Sequence, residues 1–200
     1  MAYSKFTWDD LHDKFGIKAS SKQLFDKETM PLIQPNKWLS DTLKIAHNMP
    51  MLSEKARSEG IVYPILATLR EINHNSFTLY SGIDLNADKK QGLNGECDFL
   101  LGSEARSVYL TAPIFTALEA KQENIPRWIP QAVAQMLGAR TYNQKRKTNI
   151  TTIYGCVTTG TEWQFLLLED TMCWVDTDLY SLDNLPKLLG TLQTIVDFYR

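Results

Sequence analysis

The stretch FTALEAKQENI, residues 115–125, closes an apolar, strand-like run with Glu119 and Lys121 two positions apart. Side chains alternate along a strand with a period of two, so this carboxylate and this ammonium point the same way. An earlier strand-like run, GECDFLL (95–101), embeds a second acid, Asp98, among residues that want burial. Such acids are costly unless they are paired or bound to a metal. On adjacent strands the two would raise each other's pKa. A divalent cation removes that conflict: Mg²⁺ takes one or two carboxylates, keeps several waters and leaves positions for phosphate oxygens. Lys121 would then orient a water and neutralise charge developing on a phosphate. Simpler arrangements compete with this one. Glu119 and Lys121 could form a surface ion pair, which contributes little, and Asp98 could be held by a backbone amide.

These side chains need elements to position them, and the hydrophobic pattern supplies candidates. Phe6, Trp8, Leu11 and Phe15 recur at helical spacing over 5–16, and a second helix is expected over 38–46. Ser53 can cap a helix carrying the stripe Ile61, Ile65, Leu66, Leu69 and Ile72. Pro64 falls inside that stripe and predicts a kink or junction. Strands are expected over 76–85, 96–101 and 113–120. A helix opened by Pro126 and Pro130 follows, with Val133, Met136, Leu137 and Tyr142 on its apolar side. A hairpin spans 150–158 and 162–168, with Trp163 and Phe165 as core residues, and a short strand follows near 172–175. Leu185, Leu188, Leu189, Leu192, Ile195 and Val196 mark the last helix. The order predicts an α/β or α+β fold with a mixed sheet.

Bulk properties narrow the function classes. Two hundred residues suit one compact domain. The formal net charge of -2 argues against a globally basic nucleic-acid binder, so a phosphate-binding surface must be local. The run from Arg140 to Lys147 is the candidate patch, with the solvated end of a helix as its plain alternative. Cys97, Cys156 and Cys173 lack CxxC spacing and are expected as buried free thiols in a reducing compartment. No signal peptide or membrane span is legible, so a cytoplasmic protein without membrane contact is expected. His12, His47 and His74 share no motif, and Walker A, dinucleotide and G-x-S-x-G patterns are absent.

GECDFLL followed by LEAKQ (118–122) resembles the PD-(D/E)XK nuclease superfamily. The resemblance covers about residues 51–169 and departs from the motif at Cys97, where a proline often stands. It implies a restriction-endonuclease-like αβββαβ core, with a mixed central sheet flanked by helices, over 51–200. Residues 1–50 would form an N-terminal helical extension packed on that core. It further implies a Mg²⁺- or Mn²⁺-dependent endonuclease hydrolysing phosphodiesters, with DNA as partner and a homodimer where both strands are cut. Asp98, Glu119, the Ala120 carbonyl and Glu54 would hold the metal, and Lys121 would serve the attacking water. Gln131, with Gln135 one turn later, would contact the substrate backbone or fix the lysine. Glu54 is preferred to Glu59 as the helical acid, and both remain open. The rival class is a non-catalytic member of the same fold that binds nucleic acid or a protein.

Overall fold

A computed structural model describes residues 2–200. Seven strands form one mixed sheet in the order β1-β7-β6-β5-β4-β3-β2. They are β1 (Lys18–Lys22), β2 (Thr78–Asp84), β3 (Glu96–Gly102), β4 (Ile114–Ala120), β5 (Ile153–Thr158), β6 (Glu162–Glu169) and β7 (Met172–Ser181). The β4–β5 and β1–β7 pairs are parallel, and the other four pairs are antiparallel. Helices cover both faces, giving an α+β architecture.

The helices are α1 (Trp8–Phe15), α2 (Lys37–His47), α3 (Glu54–Arg57), α4 (Tyr63–Ile72), α5 (Ile125–Lys145) and α6 (Leu185–Phe198). Side chains preceding them fix their starts. Thr7 and Asp10 form a reciprocal capping box on α1, and Asn36, Ser53 and Asn184 cap α2, α3 and the start of α6. Between α3 and α4 the backbone widens into a π-turn, Ser58–Val62, in which the Tyr63 amide reaches back to the Ser58 carbonyl. This is the junction that Pro64 forecasts: proline has no N–H and its ring crowds the turn before it, so a wider turn relieves the clash.

Each face of the sheet carries its own core. On one side α5 lies over β4 and β5, joined by Leu11 and Ile17 from the N-terminal segment. Tyr3 sits over Gly138, where a Cβ would fall 2.1 Å from the Tyr3 hydroxyl, so only glycine permits that approach. On the other side α2, α4 and α6 bury Leu39, Leu66, Leu69 and Leu189 against Phe99, Phe165 and Trp163. All three cysteines are buried and free, and the three histidines are exposed.

Three expectations need correction. The first fifty residues are not a purely helical extension. KASSK (18–22) forms β1 by pairing in parallel with β7, although it lacks the β-branched or aromatic pattern of a strand. The strand near Met172 runs on to Ser181 instead of stopping at Val175, because the interruption at Asp176 is absorbed. That carboxylate is buried, accepts from the Leu24 and Asp178 amides and takes the Tyr180 hydroxyl at 3.0 Å. Finally, Pro130 does not open α5 but lies inside it, in the second turn after Pro126.

Candidate functional site

The antiparallel register of β3 and β4 aligns Phe99 with Leu118. Asp98 and Glu119 are the next residues outward, at the end of β4 from which Lys121 emerges. Asp98 Oδ2 accepts from the Ala120 amide at 2.7 Å, so the backbone-amide arrangement is present for one of its oxygens. Across from Asp98 on β2 stands Gly82, with φ +59° and no side chain to cover the carboxylate.

Glu119 and Lys121 do share one side of the chain. Lys121 Nζ lies 2.6 Å from Glu119 Oε1, and their side chains are only 11% and 3% exposed. This is a buried pair and not a surface one, so removing the lysine would leave the Glu119 charge buried without its cation. Glu54, from the first turn of α3, approaches Lys121 to 3.7 Å. Glu59 instead pairs with Lys55 at 3.8 Å on the exposed side of the same segment. Lys121 also sits 4.6 Å over the ring of Trp128, and cations favour that aromatic face.

Helix α5 supplies the next contacts. Gln131 and Gln135, one turn apart, both donate to Glu119: Gln131 to Oε1, and Gln135 to Oε2 at 2.5 Å. Each thereby leaves its own amide oxygen buried without a partner, which is the cost of holding this carboxylate. The glutamines therefore grip Glu119 and make no direct hydrogen bond to the lysine.

The electrostatics follow from burial and crowding. Burial first, and then the neighbouring Asp98 charge, raise the Glu119 carboxyl to about 7, against the pull of Lys121 and Gln135. Asp98 is also raised, chiefly by burial, with the Ala120 amide and Lys121 opposing and Glu54 adding to the rise. For Lys121 burial acts downward, but the carboxylates of Glu119, Asp98 and Glu54 outweigh it and the pKa rises. Three acids thus share one ammonium.

Asp98 and Ala120 line an open cleft of about 430 Å³, together with Glu54, Ser58, Glu59, Gly82 and Glu96. Glu119 and Lys121 adjoin Ala120 without forming its walls. Among the described residues no three His, Cys, Asp or Glu side chains converge closely enough to hold a metal by themselves. The donor types still suit a hard cation. Asp98, Glu119 and the neighbouring Ala120 carbonyl offer the one or two carboxylates that Mg²⁺ needs beside its waters. Glu96 was not anticipated, although its spacing of two from Asp98 was legible.

The basic run at 140–147 lies elsewhere. Lys145 is fourteen residues along α5 from Gln131, about 20 Å at the helical rise. Part of the run is engaged in the fold: Arg140 donates to the Asp170 carbonyl, Asn143 is buried against Ile114, and Lys145 bonds the Ala87 carbonyl at 2.6 Å. It is no part of the carboxylate cleft.

No protein-family model matches the chain, and no curated protein is significantly similar to it. Among the described residues no helix is long and apolar enough to cross a membrane.

Proposed function

We propose that this chain is a metal-dependent nuclease of the PD-(D/E)XK type, hydrolysing phosphodiester bonds of DNA. The observation that carries this reading is the buried Glu119–Lys121 pair set beside Asp98, with Glu54 3.7 Å from the lysine. The element order α4, β2, β3, β4, α5, β5 supports it, since that succession is the αβββαβ core of the family.

Asp98, Glu119 and the Ala120 carbonyl, with Glu54, would hold Mg²⁺ or Mn²⁺. When bound, the ion would supply Lewis acidity toward the phosphate and lower the pKa of a water. The remaining roles belong to the chain. Gln131 and Gln135 fix the Glu119 carboxylate so that it need not reorganise during the reaction. Lys121, held between Glu119 and Glu54, orients the attacking water and donates to a phosphate oxygen as negative charge builds there. The water oxygen forms the new P–O bond in line with the bond that breaks and releases its proton to solvent, while the leaving oxygen takes a proton from solvent. Gly82 leaves the approach to Asp98 clear.

One observation favours a second reading, a non-catalytic nucleic-acid-binding or interaction module of the same fold. Both Glu119 oxygens already have partners. The two readings separate in a cleavage panel of supercoiled plasmid, linear duplex, single-stranded DNA and RNA, run with Mg²⁺, Mn²⁺ or EDTA. The expected result is metal-dependent cutting that falls about 10²–10³-fold or more in Lys121→Ala, the loss typical of one preorganised charge-stabilising group. Absence of cutting on every substrate, with no metal-induced rise in melting temperature, leaves the binding module.

A further inference from the structure

Beside the carboxylate cleft lies a second hollow of different character. It measures about 300 Å³ and is walled by Met49, Met51, Ile61 and Leu182, with Thr159 and Thr161 at one edge. No acidic side chain lines it, whereas Glu54, Glu59, Glu96 and Asp98 line the cleft. Arg57 joins the two regions. Its Nη1 donates to the Gln122 carbonyl at 2.9 Å, one residue beyond Lys121, and to the Thr159 carbonyl at 3.2 Å on the hollow's wall. The Lys121 amide in turn bonds the Thr158 carbonyl at 2.7 Å, so lysine and hollow are fixed to the same short backbone segment.

We propose that this pocket receives a single unstacked base of the strand being cut, next to the scissile phosphate. The proposal rests on the nuclease reading and specifies its substrate as a single strand, or a duplex opened at the cut. The size is at the low end for ligand pockets, and it accommodates a single base. Thioether and aliphatic walls suit the flat apolar faces of a base. The hydroxyls of Thr159 and Thr161, 3.1 Å apart, suit its polar edge. Arg57 places a guanidinium charge between base and cleft, where the connecting phosphate would run. Met49, 56% exposed, offers the sugar an apolar contact at the rim. Extruding a base costs least where the strand is already unpaired.

A short single-stranded DNA carrying the fluorescent adenine analogue aminopurine at successive positions tests this, with binding followed in EDTA. His47 is the aromatic side chain among the pocket's lining residues, and with no Phe, Tyr or Trp there an analogue unstacked into it brightens. The expected result is brightening at one position only. It should be abolished in Thr161→Met, which fills the mouth from an exposed hairpin residue without adding a ring that would itself quench the analogue, and kept in Thr161→Val. Affinity should fall about tenfold in Thr161→Met, or ~1.4 kcal/mol, with an unchanged melting temperature. Binding without brightening at any position, or brightening that survives Thr161→Met, overturns the pocket, and the nuclease reading then stands or falls on Mg²⁺-dependent cutting. If DNA is neither bound nor cut, both readings fall.

Discussion

Two acids among the described residues are almost fully buried, and their surroundings differ. Asp176, on β7, is satisfied by neutral donors: two backbone amides and the Tyr180 hydroxyl. Glu119, on β4, is held by two amides and an ammonium, and it faces a second carboxylate across the strand pair. The first arrangement completes a hydrogen-bonding account and lets a strand continue through a polar residue. The second leaves like charges in conflict beside an open cleft. Burial alone therefore does not distinguish the two acids; the like charge of Asp98 beside Glu119 does.

The largest effect that sharpens this contrast concerns folding. Asp176→Ala would leave the Leu24 and Asp178 amides and the buried Tyr180 hydroxyl without their acceptor. Its expected cost is about 3 kcal/mol in denaturant unfolding, since each stranded group carries a desolvation penalty. Glu119→Gln keeps the volume and relieves Asp98, and Lys121 retains Asp98 and Glu54 as counter-charges, so its cost at neutral pH should be smaller. Equal losses in the two variants would show that Glu119 is as structural as Asp176, and the comparison would break.

The legibility of the two acids in sequence also differs, and the reason is physical. Glu119 and Lys121 could be placed on one side because strand alternation is a local rule, and β4 obeys it. The clamp by Gln131 and Gln135 needs the path of α5 over β4, and that β4–α5–β5 crossover is non-local. The strand expected near 172–175 is too short because the donors that satisfy Asp176 come from Leu24, Asp178 and Tyr180, and the first is far away in sequence. For the same reason KASSK could not be read as a strand: the free edge of β7 makes it one. Asp98 and Lys121 can be brought together from strand order and alternation, whereas Glu54 is placed beside them only through the family resemblance. The pocket behind Arg57 was invisible, because its walls come from the α2–α3 connection, the π-turn, the β5–β6 hairpin and Leu182.

A second, intermediate effect concerns pH. The Glu119 carboxyl titrates near 7 in the fold, against an ordinary value of 4.5. Between those values the native state binds the proton that the unfolded chain has lost, so its stability declines as pH rises through this window. The contribution is fully present below about 4.5 and gone above about 7. Melting temperatures of metal-free protein should therefore fall from pH 5 to pH 8 more steeply than those of Glu119→Gln. Identical slopes would mean that the carboxylate conflict is relieved in solution, and Glu119 would lose what distinguishes it from Asp176.

The smallest effect separates the two helical acids and so tests how far the conflict extends along α3. Glu54 stands 3.7 Å from Lys121 and is 48% exposed, while Glu59 is turned toward Lys55 and is 69% exposed. A half-exposed carboxylate near an ammonium in water contributes modestly, so Glu54→Gln should slow metal-dependent cutting by about tenfold and not abolish it. Glu59→Gln should leave the rate within about twofold, because an exposed i,i+4 pair contributes only tenths of a kcal/mol. Initial rates at saturating Mg²⁺ measure both. If Glu59→Gln has the larger effect, the acid that completes the site is the one on the π-turn. The cleft walled by Glu59, Glu96 and Asp98 would then be the reacting centre, with the Lys121–Glu119 pair supporting it from the side.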